Sequence, residues 1–140
     1  MNRTSRMMLT AITPLLACGD ATGASASAVA GEWTYAGSQE TAPQATLDGS
    51  LSWKGVSGGD ASFEGTFALV ERLQTGATRT LSGPGAGQLI ADTVADFDLS
   101  IDGGGRRHIG ILRGDSISGD WMTLGAGQAA SGHFVLRRKQ

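Results

Sequence analysis

Few side chains in this sequence can do catalytic or metal-binding chemistry, and they are scattered. His108 and His133 lie on separate predicted strands without a metal-ligand spacing, and we expect His133 at the surface. Asp96 and Asp98 lie two residues apart, so both carboxylates point to one face of a strand. There they could bind a hard cation such as Ca²⁺ or act as acid and base. A solvated strand face is the more common reason for this spacing.

The remaining polar residues also form no recognisable catalytic or phosphate-binding motif. The serines have no evident histidine partner, and the glycine runs lack the lysine and strand-to-helix context of a phosphate-binding loop. The net charge is −2, and the short basic runs at 106–107 and 137–139 are expected to be solvated surface. We therefore predict that the protein is not an enzyme, has no catalytic residues, metal or cofactor, and binds no nucleic acid.

The single cysteine, Cys18, follows an N-terminal segment that is typical of exported proteins. Arg3 and Arg6 form a basic region before Met7–Ala17, an apolar run of 11 residues. That run has the length of a signal-peptide core and is too short to span a bilayer. A lone cysteine excludes an intrachain disulfide and a multi-cysteine zinc site.

The sequence Leu15-Leu16-Ala17-Cys18 resembles the lipobox of bacterial lipoproteins, although Leu16 is bulkier than the residue usual at its position. The resemblance implies that residues 1–17 are removed as a signal peptide and that Cys18 becomes an acylated N-terminus. Several acyl chains anchor a protein stably, since each buried CH₂ contributes about 0.8 kcal/mol. We expect a membrane-anchored protein of the cell envelope, on the periplasmic or outer surface. The alternatives are a secretory signal with a chance cysteine and a buried cytosolic cysteine.

Residues 18–30 contain the cysteine and a run of small and polar residues that cannot bury enough apolar surface to order itself. We expect a flexible tether here, with an r.m.s. span of about 20 Å. The folded domain is predicted to occupy residues 31–140.

From residue 31 onward, the dominant pattern is the two-residue alternation of strands with one buried face. From Leu47 to Trp53 every odd position is apolar or glycine and every even position is polar, and residues 95–102 repeat this pattern. No segment has a sustained helical stripe, so we predict little or no helix. Turn signals, including one at Ser82–Gly85, divide the domain into eight strands. They are 31–36, 45–55, 61–73, 77–82, 87–101 with a possible break near Asp92, 106–113, 116–123 and 129–138.

Eight strands with one dry face each must either close into an antiparallel up-and-down barrel or fold into a β-sandwich. A repeated pattern, apolar-x-Gly-x-apolar, favours the barrel. It occurs around Gly49, Gly65 and Gly119, with a weaker copy around Gly132. An inward-facing glycine lets a strand coil sharply and leaves room for a large side chain from across the barrel.

Gly31-Glu32-Trp33 at the start of the domain resembles the opening signature of lipocalins and the wider calycin group. The resemblance implies an eight-stranded barrel whose closed end is plugged by Trp33, with a cation from the last strand packed over the indole. Arg138 is the candidate, since it is in register with the inward residues of its strand, and Arg137 is the fallback. The later lipocalin motifs and the C-terminal helix are missing, and the aromatic and hydroxyl residues of an avidin-type biotin site are too few.

Two functions remain open for such a barrel. It could bind a small apolar ligand among inward rings, for which the candidates are Trp53, Phe67, Phe97 and Trp121. Alternatively, these rings could fill the interior, leaving a structural or interaction protein of the envelope. We favour the binding module. The sequence does not indicate the oligomeric state.

Overall fold

The structure is a computed structural model, and it describes residues 26–56, 61–101, 103–125, 127 and 129–140. The signal segment, Cys18 and Asp102 lie outside the described residues. Eight strands follow one another along the chain. They are β1 (Gly31–Gln39), β2 (Ala45–Gly55), β3 (Ser62–Leu73), β4 (Thr78–Ile90), β5 (Val94–Ile101), β6 (Gly104–Arg113), β7 (Ser116–Leu124) and β8 (Ser131–Arg138).

Each strand pairs antiparallel with the next, and β8 pairs with β1, so the sheet closes into an up-and-down barrel. The predicted all-β barrel is confirmed, and the β-sandwich alternative is wrong. The 3-10 turn at Ala26–Ala28 is the one helical element in the described part of the chain. Within the described ranges, no helix is long and apolar enough to cross a membrane.

The turn predicted at Ser82–Gly85 is wrong, because β4 runs straight through it. The chain instead turns after Ile90, where Ala91 and Asp92 adopt φ angles of 48° and 68°. Pro84 is tolerated within β4 because pairing with β5 starts only at Gly85, which leaves Pro84 with a single neighbouring strand, β3. The possible break near Asp92 is therefore the real turn between β4 and β5.

Each glycine of the repeated pattern lies close against the backbone of a neighbouring strand. A Cβ added at Gly65 or Gly132 would overlap the backbone carbonyl oxygen of Ser52 or Ser38 on the neighbouring strand. Gly49 and Gly119 meet the carbonyl oxygens of Ala68 and Ile109 in the same way. The repeat thus marks close approach of neighbouring backbones, which lets these strands coil tightly around a narrow interior.

The closed end of the barrel is the end at which β1 begins and β8 finishes, and residues 26–30 cover it. Val29 is fully buried there, and its carbonyl oxygen accepts a 2.8 Å hydrogen bond from Trp33 Nε1. The prediction of a flexible tether is therefore wrong for residues 26–30, which lie against the end of the barrel, and its earlier part lies outside the described residues. Composition predicted disorder because these side chains are small and bury little apolar surface. Hydrogen bonds that Trp33 and Arg138 donate to carbonyl oxygens of the segment hold it in place instead.

Candidate functional site

The middle of the barrel is filled by aromatic rings. The ring of Phe97 lies 5.3 Å from that of Trp53, 5.6 Å from that of Phe134 and 4.7 Å from the imidazole of His108, measured between centroids. The four rings proposed to line a ligand cavity, Trp53, Phe67, Phe97 and Trp121, are all at most 3% exposed. They pack as core, and the open cavity at one end of the barrel is lined by other residues.

A buried polar pair lies within this core. His108 is fully buried, and its Nδ1 lies 2.9 Å from the carbonyl oxygen of Arg106, so Nδ1 carries the proton and donates it. Nε2 is then an acceptor and receives a 3.0 Å hydrogen bond from Tyr35 Oη. Burial lowers the pKa of His108 to about 3 and raises that of Tyr35. The imidazole is neutral and enclosed, so its role is to satisfy polar groups in the core.

His133 and Asp96 lie on the outer face of the barrel. The His133 side chain is 67% exposed and approaches Asp120. Asp96 accepts two hydrogen bonds from Arg107, at 3.1 Å from Nε and 2.8 Å from Nη2. Desolvation and the neighbouring Asp96 raise the pKa of Asp98. Among the described residues, no group of three or more histidine, cysteine or acidic side chains is placed to hold a metal ion.

The opposite, open end of the barrel holds a cavity of about 680 Å³, which we call the open-end cup. Small residues form much of its wall, among them Ala77, Gly104 and Gly125. Leu73, Ile101 and Leu124 supply an apolar part of the lining. The cup has room because glycine and alanine stand where larger side chains would close the mouth of so narrow a barrel.

The cup contains an ion-pair cluster formed by Glu71, Arg79 and Arg106. Strand alternation turns Glu71 inward behind Phe67 and Leu69, and only 5% of the residue is exposed. One carboxylate oxygen accepts a 3.0 Å bond from Arg79 Nη2, and the other accepts a 3.0 Å bond from Arg106 Nη2.

Arg106 also packs on an aromatic ring. Its Cζ lies 4.7 Å from the centre of the Trp121 ring, and the residue is 6% exposed. Its Nη1 is buried without a hydrogen-bond partner among the described residues.

Sequence analysis missed this cluster. The basic run at 106–107 was expected to be solvated, yet Arg106 is buried and only Arg107 lies on the outer face. Strand alternation contained the signal, because Arg106 shares the inward face of β6 with His108. Adjacent residues on a strand point to opposite faces, so the two neighbouring arginines have different surroundings.

The closed end carries the cation-on-indole stack that the sequence resemblance implies. Arg138 Cζ lies 4.4 Å from the centre of the Trp33 ring, which is fully buried. Its Nη1 and Nη2 donate 2.6 Å hydrogen bonds to the carbonyl oxygens of Ala30 and Ala28. Gly31 has a φ of 126°, and a Cβ there would lie 3.0 Å from Arg138 Nη1. Glycine at this position therefore fits both the backbone conformation and the space beneath the guanidinium.

Comparison with known proteins places the chain among small antiparallel β-barrels by shape alone. No protein-family model matches the chain, and no curated protein matches its sequence. The structure of EF1p2_mFAP2b bound to DFHBI is similar, with 13% identity, a TM-score of 0.64, and coverage of 82% of this chain and 97% of that one.

Two further solved barrels are similar at the same level of identity. The redesigned β-barrel mFAP1 bound to DFHBI has 14% identity and a TM-score of 0.58, over 81% of this chain and 98% of that one. A de novo designed fluorescence-activating β-barrel has 14% identity and a TM-score of 0.52, over 81% of this chain and 96% of that one. Identities this low establish the shared fold and nothing about a shared ligand.

Proposed function

We propose that this protein is a binding module that holds a small molecule in the open-end cup, and that it is tethered to a membrane by its N-terminus. The open-end cup carries the binding part of the proposal. Its volume of about 680 Å³ is typical of small-molecule sites, and it combines an apolar wall with convergent charged groups. Two barrels of the same fold, EF1p2_mFAP2b and mFAP1, bind DFHBI, so a barrel of this type can hold a small ligand.

The location of the site differs from the sequence-based hypothesis. A ligand among Trp53, Phe67 and Phe97 would have to displace packed rings, which would cost several kcal/mol of core stability. A ligand in the cup displaces none of them. We therefore assign binding to the mouth of the barrel rather than to its interior, and we expect the ligand to have a polar as well as an apolar part.

The membrane part of the proposal rests on the sequence around Cys18, and the direction of the chain supports it. The chain reaches the barrel at Ala26, eight residues after Cys18, and it does so at the closed end. Eight residues span at most about 28 Å, whatever their conformation. An acylated Cys18 would thus hold the closed end near the lipid, and the cup would face away from the membrane.

The second candidate function is a structural or interaction protein of the cell envelope. The filled aromatic core favours it, because a barrel whose middle has no room for a ligand can still contact a partner through its outer surface. The two functions differ in whether the open-end cup is occupied in the cell.

Native mass spectrometry of the protein purified from its host separates these functions. The Ala77→Trp variant places an indole in the mouth of the cup, and Ala36→Trp places one on the exposed outer face as a matched control. We expect the wild type and Ala36→Trp to retain an added small-molecule mass that Ala77→Trp loses. Bare wild-type protein in repeated preparations, or an added mass that Ala77→Trp retains, would support the filled structural barrel instead.

A further inference from the structure

The closed end of the barrel leaves large apolar side chains exposed to solvent. Val56 follows β2, Ile90 ends β4, and Ile111 lies two residues before the end of β6, and all three strands finish at this end. These side chains are 38%, 42% and 39% exposed, respectively. Val94 is half-buried between two of them, because it pairs with Ile90 on one side and with Ile111 on the other. We call Val56, Ile90, Val94 and Ile111 the closed-end rim.

The start of β3 brings Val56 next to the other members of the rim. The Val56 amide donates a 3.0 Å hydrogen bond to the carbonyl oxygen of Ser62, and the Leu89 amide donates a 2.8 Å bond to the carbonyl oxygen of Ala61. Val56 and Ile90 therefore flank the first residues of β3. The rim is thus an arc of neighbouring apolar positions from β2 to β6. Exposed apolar residues that adjoin one another mark an interaction surface, whereas single ones are ordinary.

The chain that leads from the expected lipid anchor arrives beside this rim. Ala26 packs against Gly55, where an added Cβ would lie 3.3 Å from that of Ala26. Gly55 directly precedes Val56 in the sequence. Cys18 is eight residues from Ala26, a length that spans at most about 28 Å. A bilayer that holds Cys18 would therefore lie within that distance of the chain's entry at the rim.

The charges beside the rim balance one another. Lys54 and Glu64 form an ion pair on the outer face next to the end of β2. Asp92 lies in the turn between β4 and β5, and Arg113 is the last residue of β6. These four side chains carry no net charge, so they select neither an anionic lipid nor a charged protein. Removal of apolar side chains from water remains as the driving force for a contact at this surface.

We infer that the closed-end rim rests on the lipid surface, with Val56, Ile90 and Ile111 in the head-group region of a neutral bilayer. This inference rests on the proposed function, because it requires an acylated Cys18 to hold the barrel near the membrane. An eight-residue connection by itself permits many orientations of the barrel. Contact through the rim selects the one in which β2 to β6 meet the bilayer at their closed-end turns.

Fluorescence quenching tests this contact on the protein purified from its host and reconstituted into phosphatidylcholine vesicles. Some of the lipid carries a nitroxide on the acyl chain near the head group. An acylated Cys18 has no free thiol, so an introduced cysteine alone takes a nitrobenzoxadiazole label. Thr93→Cys places the label in the β4–β5 turn at the rim, and Thr75→Cys places it in the β3–β4 turn at the open end. Both threonines are exposed. We expect the nitroxide to remove most of the fluorescence at position 93 and little at position 75.

A second comparison separates the apolar rim from mere closeness to the anchor. With the label in the β4–β5 turn, the double variant Ile90→Ser/Ile111→Ser should lose most of the quenching, because it removes two rim side chains. Met122→Ser/Leu124→Ser removes two exposed apolar side chains of β7 towards the open end and should leave the quenching unchanged. Val56→Ser changes a rim residue outside the strands, so it can be read even if the first variant is unstable, and it should also reduce the quenching.

Equal quenching of the two labels, or quenching at position 93 that neither rim variant reduces, would overturn the inference. An unquenched label at position 93 in a protein that light scattering shows to be dimeric would also overturn it, because a second copy would then cover the rim. Intact mass judges the anchor separately. A protein without acyl chains would refute the membrane part of the proposed function and the inference with it. An acylated protein whose label at position 93 stays unquenched would refute the inference alone.

Discussion

Arg138 and Trp33 face each other across the pairing of the first and last strands, with the guanidinium stacked on the indole at 4.4 Å. The same arginine donates hydrogen bonds to two carbonyl oxygens of the segment that covers the closed end. The Arg138 side chain therefore links the first and last strands and holds residues 26–30 over the closed end of the barrel. Arg106 on Trp121 repeats the arrangement near the open end, where the guanidinium pairs with a carboxylate instead of backbone oxygens.

Replacing Arg138 with lysine should lower the free energy of unfolding by about 1–3 kcal/mol, although the charge is kept. An ammonium group cannot reach Ala28 and Ala30 together while it stacks on the ring. Urea denaturation measures the change, and Arg137→Lys on the outward side of the same strand is the control. Equal stabilities for the two variants would show that the stack and its hydrogen bonds contribute little.

Trp33→Ala should cost about 3–5 kcal/mol of folding stability, because the indole is fully buried and its removal leaves a cavity. The variant also removes the hydrogen bond to the carbonyl oxygen of Val29, so residues 26–30 should lose protection from hydrogen exchange. A melting temperature within about 1 °C of the wild type would contradict this role, since a loss of that size shifts the midpoint by many degrees.

Gly65→Ala should destabilise the barrel by about 3 kcal/mol or prevent folding, since the added methyl would overlap the carbonyl oxygen of Ser52. Backbone atoms in a closed ladder cannot move aside as a flexible side chain can. Gly127→Ala is the matched control, because no atom lies within 4 Å of its added Cβ. Circular dichroism melts compare the two, and a Gly65→Ala variant as stable as Gly127→Ala would refute the close-approach explanation.

Stability should fall in acid through His108. Its pKa is about 3 in the folded protein against 6.5 for an unperturbed histidine, so the unfolded chain binds the extra proton between these values. The free energy of unfolding is therefore unaffected by His108 above about pH 6.5. It decreases as the pH falls towards 3, with a limiting slope of about 1.4 kcal/mol per pH unit.

The double variant Tyr35→Phe/His108→Leu isolates this effect, because it removes both members of the buried pair. Carboxylates elsewhere contribute equally to acid unfolding of both proteins, so the difference between their curves of stability against pH reports His108. Parallel curves between pH 4 and 6 would show that His108 gains its proton as readily in the folded protein as in the unfolded chain.

Cys18→Ser should release the protein from membranes into the soluble fraction of its host, because the acyl chains are the expected anchor. Fractionation followed by intact-mass measurement checks both the location and the loss of residues 1–17. Ser27→Ala is a control near the cysteine that leaves the acylation motif intact. Membrane retention of Cys18→Ser, or a native protein that still carries residues 1–17, would refute the lipid anchor.

Alternation along the strands predicted the closed barrel, because side chains on a strand point alternately to two faces and eight dry faces can share one interior. The same alternation placed Trp33, Trp53 and Phe97 inside. Local turn chemistry was less reliable. Ser82–Gly85 has the residues of a turn but lies in β4, because pairing with β3 outweighs the local preference.

The sequence by itself determined the type of fold and the inward face of most strands, because both follow from periodicity. The resemblance to lipocalins implied a cation over Trp33, and the alternation along the last strand selected Arg138 for it. Only the tertiary structure decided that the rings meet in the middle and that Glu71, Arg79 and Arg106 converge at the mouth. Their sequence separation hides this contact, since it depends on the stagger of β3, β4 and β6 around the closed barrel, which no single strand encodes.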